Sequence, residues 1–250
     1  MKFALIGHPV AGSLSPRLFQ AAYGGRYPYD LIDEAAFDAA WERFLAEYDG
    51  INVTAPFKQD AFARVNRLTP DALATGAVNL VVRSGEETVG YNTDVEGVLG
   101  AVRETGLAVS DALIVGAGGA ARAAAVAALR LGCRVCITNR TFSKADELAY
   151  SLGCEAVPLS DAGLRAPDLV VYTIPGGDGR PVLSSVIPGL TGDLFRRSVV
   201  LEAEYKHPAL SGIPCRAYVG GRRWLLHQAV AGYALFTGEE PDAEKMSAVL

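Results

Sequence analysis

Short apolar runs alternate with amphipathic stretches along the whole chain, the pattern of strands interleaved with helices. FALIG (3–7) reads as a strand, broken at once by Gly7 and Pro9. Ser15-Pro16 then opens a helix, with Ser15 as N-cap and Pro16 in the first turn. YDLID (29–33) is a second strand. From about Glu34 to Tyr48, Phe37, Trp41, Phe44, Leu45 and Tyr48 recur at helical spacing, and Gly50 ends that helix. Ile51-Asn52-Val53-Thr54 is a third strand, and a helix follows Pro56. AVNLVVR (77–83) and ETVGYNT (87–93) flank the turn Ser84-Gly85 as two further strands. A helix over Val95–Glu104 leads to a second register: strand Ala112–Val115, a glycine turn, an alanine-rich helix, strand RVCITNR (134–140) and helix SKADELAYSLG (143–153). DLVVYTIPGG (168–177) and SVVLEAEY (198–205) read as strands, and LLHQAVAGYALFTG (225–238) as a helix.

This alternation predicts an α/β fold with mainly parallel sheets covered by helices. The second half has the order of a mononucleotide-binding βαβαβ unit. Two domains are expected. An N-terminal open α/β substrate domain covers residues 1–100 and is completed by C-terminal helices at about 225–250; a Rossmann-like domain covers 101–224. Composition narrows the function classes. Half of the 250 residues are apolar and a fifth are charged, which excludes a disordered chain. The net charge of −5 argues against nucleic-acid or anionic-membrane partners. No apolar run reaches the roughly 20 residues of a bilayer span. MKFALIGHPVAG lacks the longer apolar region of a signal peptide, so a cytoplasmic protein is expected. Cys133 and Cys136 form a CxxC, but they sit in an apolar strand with no second pair or nearby His, and read as core. Cys154 and Cys215 are isolated. His8, His207 and His227 have no ligand spacing, and no metal is expected.

Three segments carry candidate chemistry. Gly116-Ala117-Gly118-Gly119 lies between a strand and a helix, where backbone N–H groups meet a diphosphate. The third glycine of the fingerprint is replaced: the chain continues Ala120-Ala121-Arg122-Ala123, small residues that still permit close helix–strand packing. The next strand ends in Asn139-Arg140-Thr141, with Lys144 a turn later. NAD sites usually place a carboxylate there. Arg140 and Lys144 attract a 2′-phosphate instead, so NADP(H) is the expected cofactor. In the first half, Gly12-Ser13-Leu14-Ser15-Pro16 offers two hydroxyls at a helix start, either an anion site or a helix cap. Lys58 and Asp94 each follow a strand's carboxyl end, where groups converge in open α/β sheets.

Taken together, these segments resemble the shikimate dehydrogenase family. GHPVAGSLSP (7–16) is similar to its serine motif, NVTAPFK (52–58) to its lysine motif, Gly76–Asn79 to GAVN, and Asn92-Thr93-Asp94 through Gly97 to NTD-x-x-G. GAGGAARA (116–123) and NRT (139–141) match its cofactor motifs, and Tyr205, Leu225, Gln228-Ala229 and Thr237-Gly238 match its C-terminal pattern. The resemblance implies NADP-linked, reversible reduction of 3-dehydroshikimate to shikimate in aromatic amino-acid biosynthesis. It implies that Ser13 and Ser15 hold the substrate carboxylate, that Thr54, Asn79, Asp94 and Gln228 hold ring hydroxyls, that Tyr205 lies at the substrate, and that Lys58 and Asp94 form the catalytic pair. Either of the two then carries the proton. Gly116, Ala117, Gly118, Gly119, Ala120, Asn139, Arg140, Thr141 and Lys144 would hold the cofactor. The expected partners are small molecules, in a monomer or homodimer.

The chain departs from the family pattern at Gly12, usually His; at Tyr172-Thr173-Ile174, usually Asn-Ala-Thr; at Glu202, usually Asp; and at Arg223-Trp224, usually Gly-Met. Two rival expectations follow: a dehydrogenase of quinate or a related polyhydroxy cyclic acid, and a ligand-binding relative without turnover.

Overall fold

The computed structural model describes residues 1–162, 166–175 and 195–250. The chain separates into two compact units, Met1–Thr93 with Leu226–Leu250, and Asp94–Leu225.

In the first unit, β1 (Phe3–Gly7), β2 (Tyr29–Asp33), β3 (Gly50–Val53), β4 (Arg67–Leu68), β5 (Leu80–Ser84) and β6 (Glu87–Tyr91) form a sheet ordered β2-β1-β3-β5-β6-β4. Helices α1 (Ser15–Tyr23), α2 (Phe37–Glu47), α3 (Lys58–Arg64) and α4 (Pro70–Thr75) connect the strands. β1 is buried along its whole length, as expected for a central parallel strand. On one side Ile6, Ile51 and Val53 pack with Trp41 and Phe44 of α2. On the other, the Phe3 ring stacks on Phe236 and tilts against Phe19. The chain goes from β1 to β2 on one flank and returns to β3 on the other. Such a reversal opens a crevice at the strands' carboxyl ends. β5 runs antiparallel to β3, with Asn52 opposite Leu80.

In the second unit, β7 (Asp111–Val115), β8 (Arg134–Thr138), β9 (Glu155–Ala156), β10 (Leu169–Tyr172), β11 (Val199–Glu202) and β12 (Ala217–Val219) form a sheet ordered β12-β11-β10-β7-β8-β9. Among the described residues, all of its strand pairings are parallel. This is the doubly wound order, with its reversal between β7 and β10. The crossovers include α5 (Asp94–Arg103), which leads in, α6 (Gly119–Arg130), α7 (Phe142–Leu152) and α8 (Leu159–Ala162). Ala121 and Ala123–Ala128 with Val126 are buried on α6, where small side chains let the helix lie close to the sheet. The division between the units falls inside α9 (Gly221–Thr237); α10 (Ala243–Ala248) belongs to the first.

The structure corrects several readings. Ser15 is the first residue of α1 rather than its N-cap; Leu14 holds the cap position without a side-chain hydrogen bond. The helix expected from Glu34 begins at Phe37, after an extended Ala36. The strand RVCITNR stops at Thr138, and SVVLEAEY stops at Glu202. DLVVYTIPGG is a strand only over Leu169–Tyr172, and residues 176–177 lie outside the described ones.

Candidate active site

The crevice end of the first sheet collects polar groups from the ends of β1, β2, β3 and β6. At Gly7 a side chain is impossible: a Cβ would lie 2.5 Å from Thr54 Cγ2 and 2.9 Å from the Ala55 carbonyl oxygen. The loops after β1 and β3 therefore touch, with the His8 N–H donating to the Ala55 carbonyl at 3.2 Å and the Thr54 N–H to that of Ile6 at 3.0 Å. Asp33, at the end of β2, pins the first loop. Its carboxylate accepts the Val10 N–H at 3.1 Å and pairs with His8 Nδ1 at 2.7 Å, and both hold its pKa below the usual carboxylate value. Beyond the loop, Ser13 Oγ accepts the Ser15 N–H at 3.2 Å and lies 3.1 Å from Ser15 Oγ. Tyr233, on α9, donates its hydroxyl to the Ser15 carbonyl at 3.1 Å. The two serines thus stand together at a helix start that has no side-chain cap.

Lys58 is the first residue of α3, half-buried, and its carbonyl accepts the Val78 N–H at 3.0 Å. The antiparallel run of β5 brings Asn79 beside the end of β3, where the Asn79 carbonyl accepts the Val53 N–H at 2.8 Å. Asn79 then bonds Thr93, just past β6, through both ends of its amide. Thr93 Oγ1 in turn lies 3.2 Å from Gln228 Oε1 on α9. Asn52 extends the network on the other side, accepting the Tyr29 hydroxyl at 2.7 Å. Burial raises the pKa of Tyr29 and Tyr233, so both phenols stay neutral donors. Asp94 follows Thr93 directly and opens α5 of the second unit.

The second unit presents a different surface. Gly116 turns with φ +123°, and a Cβ there would meet Thr173 Oγ1 at 2.2 Å. Thr173 donates that hydroxyl to the Val115 carbonyl at 2.8 Å, closing the reversal point between β7 and β10. At Gly118 and Gly119 a Cβ would meet nothing within 4 Å. Gly118 caps α6 without a side-chain bond, so the first N–H groups of that helix face outward from bare backbone. Ala117, Gly118, Asn139, Arg140, Thr141 and Lys144 line one cleft of about 240 Å³. Open glycines, an uncapped helix N-terminus and two cations fit a phosphorylated dinucleotide.

The structure thus gathers Ser13 with Ser15, Asn79 with Gln228 by way of Thr93, and six of the nine expected cofactor residues around one cleft. Gly116 lies buried beneath it, and Gly119 and Ala120 begin α6. Tyr205 lies after β11 in the second unit, outside the cleft's lining. Thr93, Tyr29, Asn52, Tyr233 and Asp33 were not singled out from sequence as site residues. For Thr93 and Asn52 the available signal was their place inside the NTD and NVTAPFK segments; the two tyrosines look like ordinary core aromatics. Among the described residues no group of three or more His, Cys, Asp or Glu is placed to hold a metal.

The departures from the family pattern have structural partners. Glu202 is fully buried, and its carboxylate accepts the N–H groups of Ala209 (2.6 Å) and Leu210 (3.1 Å) and the Tyr218 hydroxyl (2.8 Å), folding down the chain that carries Tyr205. Arg223 makes a forked ion pair with Glu104, and Trp224 is buried. Gly12 is exposed beside the serines.

Comparison with known proteins places these features. Residues 5–81 match the family described as shikimate dehydrogenase substrate binding domain, and residues 100–176 match shikimate / quinate 5-dehydrogenase. A shikimate dehydrogenase (NADP(+)) of Halobacterium salinarum is 36% identical over 99% of this chain and 97% of its own length. The crystal structure of shikimate 5-dehydrogenase from Thermus thermophilus in complex with NADP(H) and shikimate superposes with a TM-score of 0.86 at 31% identity, covering 100% of this chain and 98% of that one. A quinate dehydrogenase from Corynebacterium glutamicum in complex with NAD is less similar, at 25% identity and a TM-score of 0.84, covering 100% and 98%. With relatives above 30% identity along nearly its entire length and both parts of the fold matched, the chain belongs to the shikimate dehydrogenase family.

Proposed function

We propose that this chain catalyses the reversible, NADP-linked reduction of 3-dehydroshikimate to shikimate. The observation that carries the reading is the convergence, at one end of the first sheet, of the paired serines and the Asn79–Thr93–Gln228 network, with Lys58 opening a helix after β3. A carboxylated ring bearing several hydroxyls needs such a set. Family membership and the names of the relatives support the same substrate and cofactor.

Ser13 and Ser15 hold the substrate carboxylate by their hydroxyls, aided by the partial positive charge of the α1 N-terminus. Thr54, Asn79, Asp94 and Gln228 hold ring hydroxyls, and Tyr205 is a further substrate contact. Lys58 and Asp94 are the catalytic pair. The Lys58 ammonium donates to the reacting oxygen and stabilises negative charge developing there. In the oxidation direction the hydroxyl proton leaves to Asp94 Oδ, or to Lys58 Nζ where Lys58 starts as the neutral amine, and in the reduction it returns. When bound, the cofactor accepts or supplies the hydride. Arg140 and Lys144 hold its 2′-phosphate, while the N–H groups of the Gly116–Ala120 turn meet its diphosphate, with Asn139 and Thr141 beside them. NADP is favoured over NAD because two cations stand where a carboxylate would otherwise repel the phosphate. The proposed compartment is the cytoplasm and the proposed state a monomer or homodimer; no described helix is long and apolar enough to cross a membrane.

The test is shikimate-dependent reduction of NADP+ by the purified chain, alongside Lys58→Ala. The expected outcome is turnover by the wild type and a kcat lowered by about 10²–10⁴-fold in the variant, with the melting temperature little changed. A folded Lys58→Ala enzyme with wild-type kcat would remove Lys58 from the catalytic pair.

A further inference from the structure

We propose that Thr93 is a positioning residue that sets the hydrogen-bond polarity of the ring-binding amides, so that Asn79 and Gln228 both present donors to substrate oxygens. The inference rests on the proposed role of those two residues at ring hydroxyls. It adds which end of each amide meets the ligand and what keeps it there.

The direction of every bond in the network follows from one backbone group. The Thr93 N–H can only donate, so the Asn79 atom 2.8 Å from it is Oδ1. Asn79 Nδ2 is then the atom 3.1 Å from Thr93 Oγ1, and the hydroxyl accepts there. Thr93 Oγ1 also lies 3.3 Å from Asn79 Oδ1, but one hydroxyl cannot serve both ends of the same amide with good angles, and this is the longer approach. The hydroxyl proton therefore goes to Gln228 Oε1, 3.2 Å away. With Oε1 engaged by Thr93, Nε2 is the end of Gln228 that can meet a substrate oxygen as a donor. Asn79 keeps its second Nδ2 hydrogen for the same purpose. Asn79 and Thr93 are only 4% and 3% exposed, so water does not compensate a reversed amide, which would set donor against donor or acceptor against acceptor.

The packing of α9 serves the same contact. Gly232 follows Gln228 by one helical turn, on the same face. A Cβ there would lie 2.7 Å from Leu80 Cδ1 and 3.5 Å from Thr93 Oγ1. Glycine lets the helix settle against β5, close enough for Gln228 to reach Thr93. These two amides are thereby biased toward ring oxygens with lone pairs and against protonated ring amines, which would meet donors with donors.

The test is steady-state kinetics of the full chain with shikimate and NADP+. Thr93→Val keeps the branched shape and the backbone bond to Asn79 but removes the hydroxyl that fixes Gln228. The KM for shikimate is expected to rise about tenfold, more than kcat changes, while the KM for NADP+ stays within about twofold. Thr93→Ser restores the hydroxyl and is expected to return KM to about the wild-type value. Gln228→Glu keeps an acceptor toward Thr93 and removes the donor toward substrate, so its shikimate KM is expected to rise as well. A Thr93→Val enzyme with wild-type KM, or Val and Ser variants impaired equally, overturns the inference. Should Thr93→Val fail to fold, a Gln228→Glu enzyme with unchanged KM overturns it too. A wild-type chain inert toward shikimate overturns the substrate reading itself, and the inference with it, an outcome distinct from the variant results.

Discussion

Asn79 and Thr93 lie buried in the first unit and are bonded to each other, whereas Arg140, Thr141 and Lys144 stand exposed around their cleft in the second. Under the proposed function, the contrast follows from what each region recognises. Ring hydroxyls are small neutral groups, told apart only by the direction and position of hydrogen bonds. Donors that do this have to be held, and buried polar groups are held only by other polar groups. A 2′-phosphate is a compact double charge. Cations attract it from the surface, and bare helix N–H groups bind the neighbouring diphosphate without any side chain. On the proposed reading, one region reads geometry through an interlocked network, and the other reads charge through nearly independent contacts.

If that contrast is right, changes in the two regions separate in their effects. The largest is expected from the double change Ser13→Ala, Ser15→Ala, which removes two bonds to a carboxylate at about 1.5–3 kcal/mol each. The shikimate KM should rise at least about tenfold with the KM for NADP+ near wild type. Ser13 Oγ also accepts the Ser15 N–H, so a stability loss of about 1 kcal/mol is expected to come from Ser13→Ala rather than from Ser15→Ala. Melting of the two single variants checks this. A shikimate KM that does not move in the folded double variant would reduce the serines to helix-start residues. A smaller effect is expected from Arg140→Ala: about tenfold weaker NADP+ binding, NAD+ binding nearly unchanged, and a shallower dependence of NADP+ affinity on salt. Loss of shikimate affinity in Arg140→Ala would break the contrast directly.

Much of this organisation is legible in the chain because local signals agree with the fold. Short apolar runs that end at Gly7 and Gly116 locate β1 and β7, Val135–Ile137 marks β8, and the alanine-rich stretch after Gly119 is an α6 that packs close to its sheet. Arg140 and Lys144 could be placed because a doubly wound unit brings the end of its second strand to the glycine turn. What stayed hidden depends on register and on long-range packing. Asn79 reaches the end of β3 only because β5 pairs antiparallel, and no local pattern states that pairing. Thr93 meets Gln228 across 135 residues of chain, and the approach hinges on Gly232, which in sequence is one small residue in an apolar helix. Ser15 looked like an N-cap because Ser-Pro commonly starts helices. The cap lies at Leu14 instead, whose carbonyl accepts the Leu18 N–H at 3.0 Å, and Ser13 Oγ takes the Ser15 N–H. Thr173 reads as an ordinary residue after a strand, yet its hydroxyl requires glycine at position 116.

The central claim is that the first unit selects shikimate by geometry and the second selects NADP by charge. The most direct measurement is kcat/KM of the wild-type chain for shikimate and for quinate, each with NADP+ and with NAD+. The account predicts that shikimate with NADP+ exceeds each of the other three combinations by at least about tenfold, the size expected for one charge-assisted contact or one well-formed polar contact. Equal or greater efficiency with quinate, or with NAD+, would contradict it.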